Sequence, residues 1–166
     1  TGYKLVKGWG PERHVYFTAV FSKKLKNLRI MQDKKPVIYN TSRFRSCYEA
    51  WGKNLMACIS FAAEEGEEVI VKTSVSAVST AGATLNLQEL NGMTFDALRE
   101  KGVGLWEKEL SKYQIEAKPE VKEAFYTAAY RAALHPFVFQ DADGQFRGLD
   151  KNIDKAEGFT NYTVFS

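Results

Sequence analysis

The spacing of hydrophobic positions along this chain changes once, near residue 80, dividing it into a strand-like half and a helical half. The run His14-Val15-Tyr16-Phe17-Thr18-Ala19-Val20-Phe21 is apolar or aromatic at nearly every position, which predicts a strand covered on both faces. Leu28 to Gln32 and Val37 to Tyr39 are shorter candidates, parted by a charged turn at Asp33-Lys34-Lys35-Pro36. Leu55 to Phe61 is a further strand, bulkier on its Leu55/Ile59/Phe61 face, and the acidic stretch Glu64-Glu65-Gly66-Glu67-Glu68 marks the next turn. From Val69 to Val78, the residues Val69, Val71, Thr73, Val75 and Ala77 fall on one side, predicting a long strand with one well-packed face. Strands joined by turns without intervening helices predict an antiparallel sheet or sandwich, reaching to about residue 90.

Helical spacing follows. Thr94 is placed to cap a helix running through Phe95, Leu98, Trp106, Leu110 and Tyr113. Gly102 and Gly104 each weaken it by about 1 kcal/mol relative to Ala, so tertiary packing must hold it or it breaks there. Pro119 suits the first position of a second helix, with Glu120 and Glu123 favourable to its dipole. Val121, Phe125, Ala128, Ala132 and His135 share one face of that helix, and Pro136 ends it. Phe137 to Ser166 reads as a loop-rich segment in which Asp143-Gly144 supplies the tight bend of a hairpin.

Composition narrows the partners. Over 166 residues a hydrophobic share of 45%, a charged share of 26% and a net charge of +3 are ordinary for a globular protein. No block of Lys and Arg is present to grip a phosphate backbone, so nucleic acid is not expected. No apolar run approaches the roughly 18 residues that span a bilayer. Without an initiator Met, and stopping inside the apolar run Thr163-Val164-Phe165-Ser166, the chain is expected to be a piece of something longer.

Candidate chemistry is thin. Cys47 and Cys58 lie in no metal-binding pattern, and Cys58 reads as a small buried hydrophobe; a bridge between them needs neighbouring strands with close Cα atoms. Asp141-Ala142-Asp143-Gly144 starts like a calcium loop, but Gly144 stands fourth and Asn152 twelfth, where an EF-hand needs Gly sixth and Glu twelfth. His135, at a helix end before proline, is set to meet the negative end of the dipole. Trp9, between Gly8 and Gly10, is either a sugar-stacking aromatic or a cap on the core. Asn40-Thr41-Ser42 and Asn161-Tyr162-Thr163 match the glycosylation sequon by composition alone. No two carboxylates are recognisably set across a cleft, as glycoside hydrolysis requires.

Collinear stretches over nearly the whole chain carry a resemblance. They include Gly8-Trp9, Val15-Tyr16-Phe17, Glu67 to Lys72, Ala83-Thr84-Leu85-Asn86-Leu87, Phe95 to Arg99 and Trp106 to Ser111. The most specific are Phe125-Tyr126-Thr127-Ala128-Ala129-Tyr130-Arg131, Leu134-His135-Pro136, Phe139, Asp141, Asp143-Gly144, Phe146-Arg147-Gly148, Asp150 and Tyr162 to Ser166. In these the chain resembles glycoside hydrolase family 92, the calcium-dependent inverting exo-α-mannosidases abundant in gut Bacteroidetes.

The resemblance implies an α+β fold: part of an N-terminal antiparallel β-sandwich over 1–92, a helical linker over 93–118, and the start of a catalytic (α/α)6 barrel over 119–166, with its first helix. It implies a parent that releases mannose from glycans, is secreted, periplasmic or on the surface of a bacterium, and uses calcium. A Trp-Asp pair that meets the sugar, then the general acid, the base and the calcium ligands, are expected after Ser166, leaving no catalytic or metal residue here and a chain inactive by itself. Asp141, Asp143, Arg147 and Asp150 are the candidates for substrate contact or loop bracing, with Arg147 expected to brace one of the aspartates. The other readings are a non-catalytic carbohydrate-binding or adhesive sandwich and a structural domain. Open sheet edges predict a strand-mediated dimer or association with the missing parts of the parent.

Overall fold

A computed structural model describes residues 1–7, 12–37 and 49–163. Trp9, Ile38 and Tyr39, Cys47, the Asn40 sequon and Val164 to Ser166 lie outside the described residues. The chain divides into two units, residues 1–19 with 72–166, and residues 20–71.

In the first unit, β1 (Gly2–Val6) pairs antiparallel with β2 (Arg13–Phe21), Tyr3 lying opposite Tyr16 and Leu5 opposite His14. The sheet order is β1-β2-β6, where β6 spans Val71–Ser76. β2 is covered on one face only: Thr18 is buried and its hydroxyl meets that of Thr84, whereas Phe17 on the opposite face is 43% exposed. The expectation of cover on both faces fails at Phe17, which stays largely open to solvent.

β6 inverts its expected packing. The valine face stays open, with Val75 64% exposed, while Lys72, Ser74 and Ser76 turn inward. The cause is hydrogen bonding. Ser74 Oγ donates to the Ala83 carbonyl, and Lys72 Nζ reaches the carbonyls of Leu90 and Met93 at 3.2 Å each. Those acceptors belong to α1 (Thr80–Leu87), to the 3-10 turn Gln88–Leu90 and to the residues just after it. Helix therefore begins ten residues before the sheet was expected to stop. Ser79 caps α1, its Oγ accepting from the Gly82 N–H at 2.9 Å.

α2 (Phe95–Leu110) starts at Thr94 as expected, its Oγ1 accepting from the Ala97 N–H at 3.2 Å, and runs unbroken through Gly102 and Gly104. α3 (Pro119–Ala133) has Pro at its first turn and stops before Pro136. The two helices meet through Trp106 and Tyr130, whose ring centres lie 4.5 Å apart, and through Tyr126 Oη donating to the Tyr113 carbonyl at 2.8 Å. The chain beyond α3 is more ordered than a loop. Val138 bridges Tyr162, and β7 (Gln145–Arg147) pairs with β8 (Ile153–Lys155), making a long antiparallel arch. Asp143-Gly144 forms a tight turn that precedes β7, with Gly144 at φ +85°; the hairpin loop itself is 148–152.

The second unit holds a sheet of order β4-β3-β5, made of β3 (Leu25–Gln32), β4 (Lys35–Pro36) and β5 (Leu55–Phe61). Asp33 and Lys34, both at positive φ, form the two-residue turn between β3 and β4. Cys58 is exposed, not buried as expected, because no described element covers its face of β5. Lys23 Nζ binds the Glu67 carboxylate at 2.5 Å.

Candidate functional site

Two elements of the first unit, β6 and α1, close on Asp141, which is 5% exposed. β6 ends at Ser76, and Ser76 Oγ accepts from the N–H groups of Val78 and Ser79 at 2.9 and 3.2 Å, which turns the chain into α1. The same hydroxyl donates to Asp141 Oδ2 at 2.6 Å. Asn86, on α1, donates from Nδ2 to Asp141 Oδ1 at 2.8 Å and to the Val75 carbonyl at 2.9 Å. Its Oδ1 accepts from the Ala142 N–H at 2.8 Å. Gly82 lies four residues before Asn86, on the same helix face. A Cβ there would stand 2.1 Å from Asp141 Oδ2, so only glycine lets the carboxylate come this close.

Arg147 braces the same corner from β7. Nε donates to the Ala77 carbonyl at 2.8 Å, Nη2 to the Val78 carbonyl at 3.3 Å, and Nη1 to the Lys151 carbonyl at 2.8 Å. The expected pairing with an aspartate is not made; a planar fork of donors fits the carbonyls that turn out of the end of β6. Asp143 and Asp150 are exposed and serve their own turns. Asp143 accepts from the Gln145 N–H and Nε2 at 3.0 and 2.7 Å, and Asp150 accepts from the Asn152 N–H and Nδ2 at 3.0 and 2.7 Å. Of the four candidates, the fold brings Asp141 and Arg147 to one corner and leaves the other two on the turns.

Beside this corner lies an open cavity of about 450 Å³ lined by Thr73, Ser74, Val75, Asn86, Glu89, Leu90, Val138, Gln140, Asp141 and Ala142. Among the described residues no group of three or more His, Cys, Asp or Glu is placed to hold a metal ion, and no helix is long and apolar enough to cross a membrane. Elsewhere in the unit, Lys7 beside Glu12 (3.1 Å) holds that carboxyl below its ordinary 4.5. His14 Nε2 is 3.8 Å from Glu12, and His14 Nδ1 is buried with no hydrogen-bond partner among the described residues. Asn161, the second sequon residue, uses its Nδ2 to donate to the Phe139 carbonyl at 2.7 Å, closing the foot of the arch.

Ser76, Gly82 and Asn86 escaped the sequence reading. Their signal was faint: Gly82 and Asn86 fall at helical spacing, but only once 80–87 is known to be helix does that spacing put both on one face.

Residues 82–166 match the model of the glycosyl hydrolase family 92 catalytic domain. Among solved structures, the GH92 α-mannosidase BT3965 of Bacteroides thetaiotaomicron is 76% identical to this chain, with a TM-score of 0.91 over 98% of it and 22% of the mannosidase chain. A second structure of that enzyme, in complex with mannoimidazole, matches with the same identity and score. The GH92 inverting mannosidase BT2199 of Bacteroides thetaiotaomicron VPI-5482, 18% identical with a TM-score of 0.71 over 93% of this chain and 20% of its own, shares the fold. No curated protein matches the chain at a significant level. The chain thus spans about a fifth of the length of the structures it matches. Its antiparallel sheets and three helices form an α+β arrangement consistent with the β-sandwich and first barrel helix expected from sequence. This chain belongs to glycosyl hydrolase family 92.

Proposed function

We propose that this chain is one part of a calcium-dependent, inverting exo-α-mannosidase that releases mannose from glycans, and that these 166 residues by themselves do not turn over substrate. The observation that carries this reading is the 76% identity to a GH92 α-mannosidase, sustained over 98% of the chain. In an inverting reaction one carboxylic acid protonates the leaving glycosidic oxygen while a carboxylate on the opposite face of the sugar activates water. Both groups, and the calcium ligands, are assigned to polypeptide beyond these residues.

The part played by this chain is support. We assign residues 1–92 to the sandwich, 93–118 to the linker and 119–166 to the start of the catalytic barrel. Asp141 and Arg147 act as braces that tie the arch to the end of β6, a role supported by their hydrogen bonds to Ser76, Asn86, Ala77 and Val78. Asp143 and Asp150 shape the turns of the arch. A secreted, periplasmic or surface location in a bacterium of the Bacteroidetes goes with this assignment.

The test is an assay of the longer protein on α-mannobiosides, with and without a calcium chelator, followed by NMR of the first product. Expected are loss of activity on chelation, recovery on adding calcium, release of β-mannose, and no turnover by the 166-residue chain. Activity indifferent to chelation, or retention of configuration, would remove the proposal.

A further inference from the structure

Asn91 and Gly92 form the tip of a turn that β6 grips from its other side. The Met93 N–H donates to the Leu90 carbonyl at 3.2 Å, Asn91 has φ −63° and ψ 133°, and Gly92 has φ +73°. These are the angles of a type II turn, whose third residue needs positive φ and is glycine for that reason. Lys72 Nζ reaches the carbonyls of Leu90 and Met93, the first and last residues of the turn, at 3.2 Å each. Parting those two carbonyls costs at least one contact to the ammonium.

Asparagine is a chemically labile side chain, and most so before glycine. The glycine nitrogen attacks the asparagine Cγ, a C–N bond forms, and ammonia leaves carrying the proton from that nitrogen. Water then opens the succinimide ring that results. Opening at the Cγ carbonyl gives aspartate; opening at the main-chain carbonyl gives isoaspartate, whose backbone runs through Cβ and is one carbon longer. The reaction asks for an unbonded side-chain amide, a free N–H after it, and no side chain crowding that nitrogen. Asn91-Gly92 meets all three. Both residues are exposed. Among the described residues none bonds to the Asn91 side chain or accepts from the Gly92 N–H, and a Cβ at Gly92 would meet nothing within 4 Å.

Comparable sites are closed. The Gly144 N–H donates to the Asp141 carbonyl at 2.8 Å, and the Asp143 carboxylate accepts from Gln145, so neither reacting group of Asp143-Gly144 is free. Asn54, Asn86, Asn152 and Asn161 all have Nδ2 engaged, and each precedes a bulky residue.

We propose that Asn91-Gly92 is a site of spontaneous deamidation and isomerisation, and that Lys72 sets its rate by holding the turn closed. The ring needs Cβ and the Gly92 nitrogen eclipsed about the Asn91 Cα–C bond, and a ψ of 133° holds them well apart. The turn must therefore open before the ring closes, and opening gives up the Lys72 contacts. The coupling runs both ways. Isoaspartate lengthens the chain between the two carbonyls that Lys72 spans, so the product loosens β6 from the segment that follows α1.

The experiment ages the 166-residue chain and the longer protein in mildly alkaline buffer and reads each asparagine by peptide mass spectrometry, as NH2 replaced by OH. Expected is conversion at Asn91 ahead of Asn54, Asn86, Asn152 and Asn161, with isoaspartate among the products. Lys72→Met is expected to speed it roughly tenfold or more, the factor that one hydrogen bond to a charged group is worth. In urea, where no grip exists, parent and variant should convert alike. A Lys72→Met chain that fails to fold will show faster conversion at Asn86 and Asn161 too, and the test then passes to the aged parent. There the Met93 amide should exchange with deuterium faster in the isoaspartate form than in Asn91→Asp, which has the new charge without the longer backbone. An Asn91 that stays intact in either protein would overturn the proposal. So would conversion no faster in a folded Lys72→Met than in the parent, or a Met93 amide that exchanges alike in the isoaspartate form and in Asn91→Asp.

Discussion

Asp141 Oδ2 takes the space that a side chain at position 82 would fill, an approach open only because Gly82 has none. Gly82→Ala gains about 1 kcal/mol of helix propensity. Its methyl carbon would also stand 2.1 Å from Asp141 Oδ2 and 2.8 Å from Ser76 Oγ, so the hydrogen bond between those groups has to open. Opening a buried hydrogen bond to a carboxylate costs about 1.5–3 kcal/mol, which outweighs the gain. The expected outcome is a net loss of about 0.5–2 kcal/mol in urea unfolding, with the loss shrinking when Asp141 is also changed to Ala. In the second unit, Glu67 supplies a pH dependence. The Lys23 ammonium and the Glu64 N–H hold its carboxyl below the ordinary 4.5. A lowered value in the folded state means that this contribution to stability is present above 4.5 and fades as the pH falls through the lowered value. Unfolding midpoints measured from neutral to acid pH should fall in that window, and fall less in Glu67→Gln. Asp141 and Arg147 were legible from sequence as residues of interest because they stand in the stretch that most specifically resembles the family. Their partners were not legible, since Ser76 and Asn86 stand 65 and 55 residues from Asp141 in the chain.

At the scale of elements, α2 makes the opposite case for glycine. Neither Gly102 nor Gly104 has a neighbour within 4 Å of the place a Cβ would take, and neither has positive φ. Gly102→Ala and Gly104→Ala should therefore each stabilise by about 1 kcal/mol, seen as a higher melting midpoint by circular dichroism at 222 nm. A lower midpoint in either variant would mean that a close neighbour packs on that face of α2. The start of α2 and both ends of α3 were readable from Thr94, Pro119 and Pro136, because caps and prolines act on the backbone within one turn. α1 was not readable. Its sequence Thr-Ala-Gly-Ala-Thr-Leu-Asn-Leu lacks an apolar stripe at helical spacing, and what holds it is polar: Ser79 at its start, and the contacts of Ser74, Thr18 and Asn86. For the same reason the inward face of β6 was assigned backwards. A strand packed through serine and lysine against helix carbonyls reads, by hydrophobicity, as facing the other way.

For the whole molecule, the sequence by itself determined that a strand-rich part precedes the two long helices, the family, the start of α2 and both ends of α3. These rest on local backbone chemistry and on runs of residues that survive without knowledge of distant partners. Tertiary structure alone decided which faces are covered. Val78 and Ala83 are the buried hydrophobic residues of the described core, while Phe17, Val75, Phe95 and Val121 all stay exposed on elements whose apolar patterns foretold burial. An apolar face states that it favours leaving water; it does not state what will meet it. In this chain, which spans about a fifth of the related mannosidase, the faces that do close are joined by hydrogen bonds between residues far apart in sequence, at Asp141, Arg147 and Lys72. Such bonds depend on angle and distance to within tenths of an ångström, quantities that only the folded backbone supplies.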